Sequence, residues 1–340
     1  MISKTSSLHI IGHGLAGAIL AETASAAGCK VRVSDDGGPA SSRVAAGLYT
    51  PLTGKRLTPS WSLDPSLSVL NRFYPALEAI LGVRFFHPLR TTRILVSPEE
   101  QSDWQKREQE QAAALTNPSG FEKRIRTFFH PGFGAFDIPG SGWVDLPVML
   151  DALRRRREQR GEWGPPDTPP DVTLWAEGAR AARNPLWRDL GWRNAHGDIL
   201  TLRIPDLPPD RIYNFGRFLL PIGEGLFRCG ATYAWDIDSP APRAEGRAQL
   251  ESELRSLLKV PFEVIDHRAG IRPVALARVP VAGPHPEAPD QWILNGFGSK
   301  GVLYAPWMAE RLLGLLLENQ PLPKECQATR RMRRQRDRNR

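Results

Sequence analysis

The sequence predicts an α/β fold. A Rossmann-like domain on a parallel sheet with helices is joined to a discontinuous, mainly antiparallel β domain. Three observations carry this. Leu8-His9-Ile10-Ile11-Gly12-His13-Gly14-Leu15-Ala16-Gly17 reads as an apolar strand, a glycine turn and the start of a helix. That arrangement sets backbone N–H groups and a helix N-terminus against a pyrophosphate. Gly296-Phe297-Gly298-Ser299-Lys300-Gly301 is a second glycine turn ahead of a second apolar helix, nearly a whole chain away. Between the two lies antiparallel, hairpin-like β sequence. Two such turns imply one long cofactor held by distant segments, and mark the chain as a flavoenzyme.

The elements follow in order. Residues 8–12 form the first strand. Residues 15–27 are small and helix-forming, so this helix can press closely on a sheet, and Gly28 stops it. Val31-Arg32-Val33 makes a second strand closed by Asp35-Asp36, which completes a βαβ opening. From 41 to 60 the chain is rich in Ser, Ala, Gly and Thr and suits a loop packed on a ligand. The spacing of Leu67, Leu70, Phe73, Leu77, Ile80 and Leu81 predicts a helix over 65–82. Residues 84–97 read as strands, and 101–114 as a polar helix. Leu146, Met149, Leu150 and Leu153 predict an amphipathic helix over 146–160, with Arg154 to Arg157 on its solvated face and C-terminus.

Residues 161–171 are a proline-rich connector, and Val172–Trp175 is a short buried strand ending at Gly178. Residues 198–233 read as antiparallel strands. The clearest is a hairpin, Arg217–Ile222 and Leu226–Tyr233, turning at Gly223-Glu224-Gly225. A helix is expected over 249–258, a buried strand over 292–295, and a last helix to about Asn319. Pro306 sits in the first turn of that helix or kinks it. The division expected is a nucleotide-binding domain of 1–60, 142–196 and 266–325, a substrate domain of 61–141 and 197–265, and a basic, disordered tail of 326–340.

Composition narrows the function classes. The chain has 340 residues, 41% hydrophobic and 24% charged, an ordinary globular balance. Its longest apolar runs, such as Leu312–Leu317, are too short to span a bilayer. Lys4 and the apolar run up to Cys29 have the outline of a signal peptide, but His9, His13 and Glu22 interrupt it. The chain is therefore expected to be cytoplasmic. Cys29, Cys229 and Cys326 are odd in number and far apart, which fits reduced thiols and not a disulfide framework or zinc site. No histidines pair at metal-ligand spacing, so no metal is expected. Of the net charge of +8, Arg330 to Arg340 supply +6. Such an end is a solvated tail first, and a grip on RNA phosphate second.

Gly12, Gly14 and Gly17 fit GxGxxG in the required strand–turn–helix context. The first permits the tight turn, the second lets the backbone approach phosphates, and the third allows helix and strand to touch. Leu15 and Ala16 fall between them at the helix start. Asp35 ends the second strand, where a carboxylate accepts hydrogen bonds from a ribose diol. This loop alone does not separate FAD from NAD.

The stretch Ser41-Ser42-Arg43-Val44-Ala45-Ala46-Gly47-Leu48 separates them. Here the chain resembles the D-amino-acid oxidase/glycine oxidase superfamily of FAD-dependent oxidoreductases. The resemblance implies that Ser41 and Ser42 make polar contacts to FAD, that Ala45, Ala46 and Gly47 allow close backbone approach, and that Leu48 flanks the isoalloxazine. Tyr49-Thr50-Pro51-Leu52-Thr53-Gly54-Lys55-Arg56 resembles one subgroup's Pro-x-Thr-Gly run. Gly142–Pro147, Trp175–Gly178, Gly197–Leu200, Phe218–Pro221 with Cys229–Tyr233, and Gly270-Ile271-Arg272-Pro273 continue the family's motifs in its order. By this resemblance Gly178 lies near the nucleotide and Arg272 holds the substrate carboxylate. A guanidinium fork suits a planar anion and fixes the adjacent carbon against flavin N5. Gly298, Ser299, Lys300 and Gly301 would face the N1/C2=O edge, with Lys300 stabilising charge on reduction. The catalytic set implied is Arg272, Lys300 and Leu48, with non-covalent FAD.

Two departures bear on substrate and cofactor. Phe218 stands where D-amino-acid oxidases carry a tyrosine, and the 161–171 connector is shorter than the family's adenine-contacting segment. The activity expected is oxidation of a C–N bond in a small amino acid or secondary amine. The alternative is a flavin-dependent tRNA-modification enzyme acting on a carboxymethylaminomethyl-type group, with the Arg-rich end on RNA. The sequence shows no fused methyltransferase-like segment, which weighs against the alternative. Oligomeric state is not legible.

Overall fold

The computed structural model describes residues 5–54, 57–111, 121–130 and 132–339. Lys55, Arg56 and the 112–114 end of the predicted polar helix lie outside them. The chain opens with β1 (Ser7–Ile11), α1 (Leu15–Ala26), β2 (Lys30–Ser34) and α2 (Ser41–Val44). Three two-residue strands follow: β3 (Leu48–Tyr49), β4 (Leu52–Thr53) and β5 (Thr58–Pro59). Next come α3 (Leu63–Leu81), β6 (Phe86–Pro88), β7 (Thr91–Ile94), α4 (Pro98–Gln111), α5 (Phe121–Phe128), β8 (Ala135–Ile138), β9 (Gly142–Val144) and α6 (Leu146–Gln159). The second half holds β10 (Val172–Trp175), β11 (Ala195–Arg203), β12 (Ile212–Asn214), β13 (Phe218–Gly223), β14 (Leu226–Gly230), β15 (Ala234–Trp235) and α7 (Ala244–Leu257). It ends with β16 (Glu263–Arg272), β17 (Val281–Pro284), β18 (Gln291–Asn295), α8 (Gly301–Glu318) and α9 (Ala328–Asn339).

Two sheets carry the architecture. The first has the order β17-β18-β10-β1-β2, parallel except for β17 on its edge. Leu8, Ile10, Val31, Val33 and Leu174 alternate into its core. In the second, β15-β11-β14-β13-β12-β7-β8 are bonded in that order, and β16 pairs along the other edge of β11. It is antiparallel except for β12 beside β7. The hairpin of β13 and β14 turns through Glu224 and Gly225, both at positive φ, as a tight two-residue turn requires. One face of this sheet, carrying Leu200, Leu202, Leu219, Phe227 and Cys229, packs on α7 through Leu250 and Leu254. The opposite face is the one that carries Arg272.

The structure departs from the sequence reading in three places. Pro306 sits in the second turn of α8 without breaking it. A proline there leaves the carbonyl four residues earlier, Val302, without its helical partner. The buried Tyr74 hydroxyl donates to that oxygen at 3.0 Å. The arginine run of α6 is not all solvated. Arg157 is 1% exposed, ion-paired to Glu22 and to Glu162 (2.5 Å), and it donates to Ser25 Oγ (2.8 Å). Nor is 326–340 a disordered tail over its described length. Residues 328–339 form α9, with Ala328 and Met332 buried against Trp187, Val281 and Ile293. Arg331 donates to the carbonyls of Val279, Pro280 and Glu325. The sequence signal of charge was real, but it masked an apolar stripe at i, i+4.

Candidate flavin and substrate site

The carboxyl ends of β1, β10 and β18 meet at one point, where ligands bind in open α/β sheets. Gly12, at the end of β1, has φ +103°, and a Cβ there would fall 2.5 Å from the Ala176 carbonyl oxygen beyond β10. A Cβ on Gly17 would run into Gly12 O. Both positions therefore require glycine. Leu15 N–H, in the first turn of α1, donates to Ser42 Oγ (3.0 Å), so α2 is latched to the helix N-terminus. Ser41 and Ser42 lie in α2, and Ala45, Ala46 and Gly47 lead out of it. Asp35 takes the His13 N–H at 2.7 Å and the Gly37 N–H at 2.8 Å. One lone pair on each of its oxygens remains for another donor. The surface cavity lined by Asp171, Asp290 and Trp292 opens at the amino ends of the strands, away from this point.

The second glycine turn arrives beside the first. A Cβ on Gly301 would fall 2.7 Å from Leu15 Cδ2, so the starts of α1 and α8 are in contact. Gly298 has φ +56°, and its N–H donates to the Pro273 carbonyl at 2.9 Å. That bond ties the turn to the residue after Arg272. Ser299 is exposed. Lys300 caps α8 without a side-chain hydrogen bond, and no carboxylate lies within 4 Å among the described residues. Burial without a counter-charge pulls its ammonium down to about 8. Gly178 follows β10, and Asn295 donates to its carbonyl at 2.8 Å, linking the ends of β10 and β18.

Gly47 has φ +72°, and a Cβ there would collide with Val144 O. This close approach lets β3 pair with β9, Leu48 opposite Trp143. Leu48 packs with Ala46, Trp143, Ile212 and Phe218, between the α2 loop and the Arg272 face of the second sheet. A Cβ on Gly270 would lie 3.4 Å from Ser41 Cα, so β16 also runs against α2.

Arg272 ends β16. Its Nη1 donates to the carbonyls of His196 (3.3 Å) and Thr232 (3.2 Å), and its Cζ lies 5.0 Å from the Tyr233 ring centroid. Among the described residues no carboxylate is within 4 Å of it. Burial depresses its pKa. A structural arginine would be expected to hold a core carboxylate; among the described residues the partners of this one are two carbonyls and an aromatic ring. A Cβ on Gly197 would collide with the guanidinium, so the glycine is what gives Arg272 its place.

Sequence reasoning missed the support beneath this arginine. The buried Asp198 accepts from Thr232 Oγ1 (2.8 Å) and Arg243 N–H (2.9 Å), and His267 Nε2 lies 2.9 Å away. Burial acts to raise its pKa, but these donors outweigh it and hold the carboxyl below its usual range. Asp198 thus fixes the Thr232 loop, whose carbonyl and following ring receive Arg272. The Gly-Asp pair at 197–198 was the available signal.

A profile described as DAO, FAD dependent oxidoreductase, matches residues 8–162 and 171–315. The chain belongs to the DAO family. Glycine oxidase from Geobacillus kaustophilus superposes with a TM-score of 0.75 at 19% identity, covering 94% of this chain and 96% of its own. Iminodiacetate oxidase from Chelativorans sp. BNC1 gives 0.71 at 20% identity, with 93% and 97% covered. Two curated relatives are the tRNA 5-methylaminomethyl-2-thiouridine biosynthesis bifunctional proteins MnmC. That of Marinobacter nauticus is 25% identical over 91% of this chain and 55% of its own length. That of a Caulobacter species is 27% identical over 94% and 56%. This DAO chain therefore spans about half the length of the curated relatives it matches.

FAD is the cofactor of the DAO family, and the residues here fit it. Bulk is excluded at Gly12 and Gly17, two helix N-termini adjoin, and an unpaired ammonium stands at the second turn. The short connector has its own solution at the β2 edge. Trp163 bridges Val33, adding a rung to the sheet beside β2. Its ring meets His13 edge-on at 5.0 Å and lies under Arg154 at 4.7 Å. No helix among the described residues is long and apolar enough to cross a membrane.

Proposed function

We propose that this protein oxidises the C–N bond of a carboxylate-bearing amine. The observation that carries the reading is Arg272: a charged, largely buried guanidinium without a carboxylate partner among the described residues, on the strand that Gly298 ties to the second glycine turn. FAD, when bound, would supply the two-electron acceptor. Arg272 holds the carboxylate in a bidentate grip and orients the adjacent carbon. Leu48 and Ala46 keep water from the ring, and Lys300 offsets negative charge at the pyrimidine edge. The oxidised substrate is an imine, which water hydrolyses to an amine and a carbonyl acid. No protein base is required when the amine enters neutral, and none is assigned.

The test is anaerobic mixing with glycine, sarcosine, iminodiacetate, proline and D-amino acids while the visible flavin bands are followed. Secondary glycine derivatives are expected to bleach the flavin. Failure of every amine in a broad panel would refute the reaction class.

A second reading places the amine on tRNA. It is favoured by the MnmC relatives and by the Gly-Phe-Gly-Ser-Lys-Gly turn, which resembles their flavin domain. It predicts tRNA binding that weakens steeply with salt and is lost when residues 333–340 are removed.

A further inference from the structure

We propose that Tyr233, Trp235 and Arg193 form a stacking subsite for a nucleobase carried by the amine whose carboxylate Arg272 holds. This rests on the carboxylate-bearing amine reading above, and it names the second half of that substrate. The register builds the platform. Ala195 lies opposite Arg272 on one side and Trp235 on the other. Side chains two apart on a strand share a face. Ala195, Trp235 and Arg272 therefore project from one face, with the small Ala195 as its floor, and Tyr233 and Arg193, just outside the strands, join that row through their ring contacts.

On that face cations and rings alternate. Arg272 lies over Tyr233, Tyr233 meets Trp235 at 4.7 Å between centroids, and Arg193 lies 4.3 Å over Trp235. The row runs outward from the half-buried Arg272 to Tyr233, which is 45% exposed, and to the exposed Arg193. An exposed tyrosine beside a partly exposed tryptophan offers flat apolar area to a planar guest. Among the described residues no carboxylate lies within 4 Å of Arg193 or of the neighbouring Arg278. The platform is therefore positively charged, as a ring flanked by phosphates requires.

The experiment compares three probes on the FAD-loaded protein: sarcosine, N-(uracil-5-ylmethyl)glycine and N-(cyclohexylmethyl)glycine. Affinity is read anaerobically from the probe-concentration dependence of the change in the visible flavin bands, whether a probe perturbs those bands or bleaches them. Wild-type protein is expected to bind the uracil probe at least about tenfold more tightly than the cyclohexyl probe. In Trp235→Leu the uracil-to-sarcosine preference is expected to fall about tenfold, with recovery in Trp235→Phe. Equal binding of planar and puckered rings by wild type would overturn the proposal, as would an unchanged preference in Trp235→Leu. A panel in which the uracil probe binds but no amine bleaches the flavin removes the reaction class and leaves the subsite standing.

Discussion

A single Cβ decides where the Arg272 guanidinium can lie. Gly197→Ala would place a methyl in the guanidinium, which has no slack because its Nη1 is already bonded to two carbonyls. The expected outcome is a KM for the carboxylate substrate raised about tenfold or more, with flavin content unchanged. An unchanged KM would separate Arg272 from substrate binding. Lys300 offers a second residue-level test. Its ammonium has fallen from the usual 10.5 to about 8, so the folded protein holds this proton less tightly than the unfolded chain. Lys300 is cationic below about pH 8 and neutral above it. Its proposed place at the flavin's pyrimidine edge makes the cation raise the midpoint potential. Lys300→Met should therefore lower that potential, and the gap to wild type should close as pH rises through about 8. A gap that does not vary with pH would exclude the lysine's charge as the cause. The expectation for Arg272 came from a short sequence motif. The aromatic neighbour Trp235 gave no such signal, since the face it shares with Arg272 exists only once β15 and β16 are both registered on β11.

At the scale of elements, local rules were overridden where an element had to fit its neighbour. The α8 proline is tolerated because α3 supplies the missing donor. Tyr74→Phe should leave the Val302 carbonyl buried and unsatisfied, at a cost of about 1–3 kcal/mol in denaturant unfolding. No change would mean that water reaches this oxygen. Charge in α6 misled in the opposite direction. Helix periodicity located α6 correctly, but it could not show that Arg157 faces Glu22 of α1 and the connector's Glu162. Those partners lie far away in sequence or just beyond the helix end. Arg157→Leu leaves the buried Glu22 only its longer 3.8 Å pairing to Arg156 and should cost about 3 kcal/mol, whereas Arg157→Leu with Glu22→Leu should recover a good part of it. Equal losses in the single and double variants would show that packing, and not the charge, is what α6 contributes. The glycine turns were legible for the opposite reason: each is a local backbone demand, written into residues that are adjacent in sequence.

At the scale of the whole molecule, the fold brings the two ends of the chain onto one sheet, and the C-terminal segment then returns to brace it. Gln327 bridges Ala282 on β17, and α9 closes over Trp187, Ala275 and Val281 through Ala328 and Met332. Composition could not reveal this, because two small or flexible apolar residues and one partly buried arginine carry the docking within a strongly basic run. The basic end therefore has two parts with separable roles. Ending the chain after Met332 removes the exposed Arg333 and Arg334 but keeps Arg331 on its three carbonyls. Its Tm should match wild type within about a degree, because exposed residues away from such contacts contribute little. Ending the chain after Gln327 uncovers Trp187 and frees the 279–280 backbone. Loss of buried side chains on that scale should cost about 2–5 kcal/mol and lower Tm by several degrees. If the shorter truncation proves as damaging as the longer one, the arginines beyond Met332 belong to the fold. They would then not be free to meet a polyanion. If instead the shorter truncation keeps its Tm and loses salt-sensitive tRNA binding, the fold and the RNA contact divide at Met332.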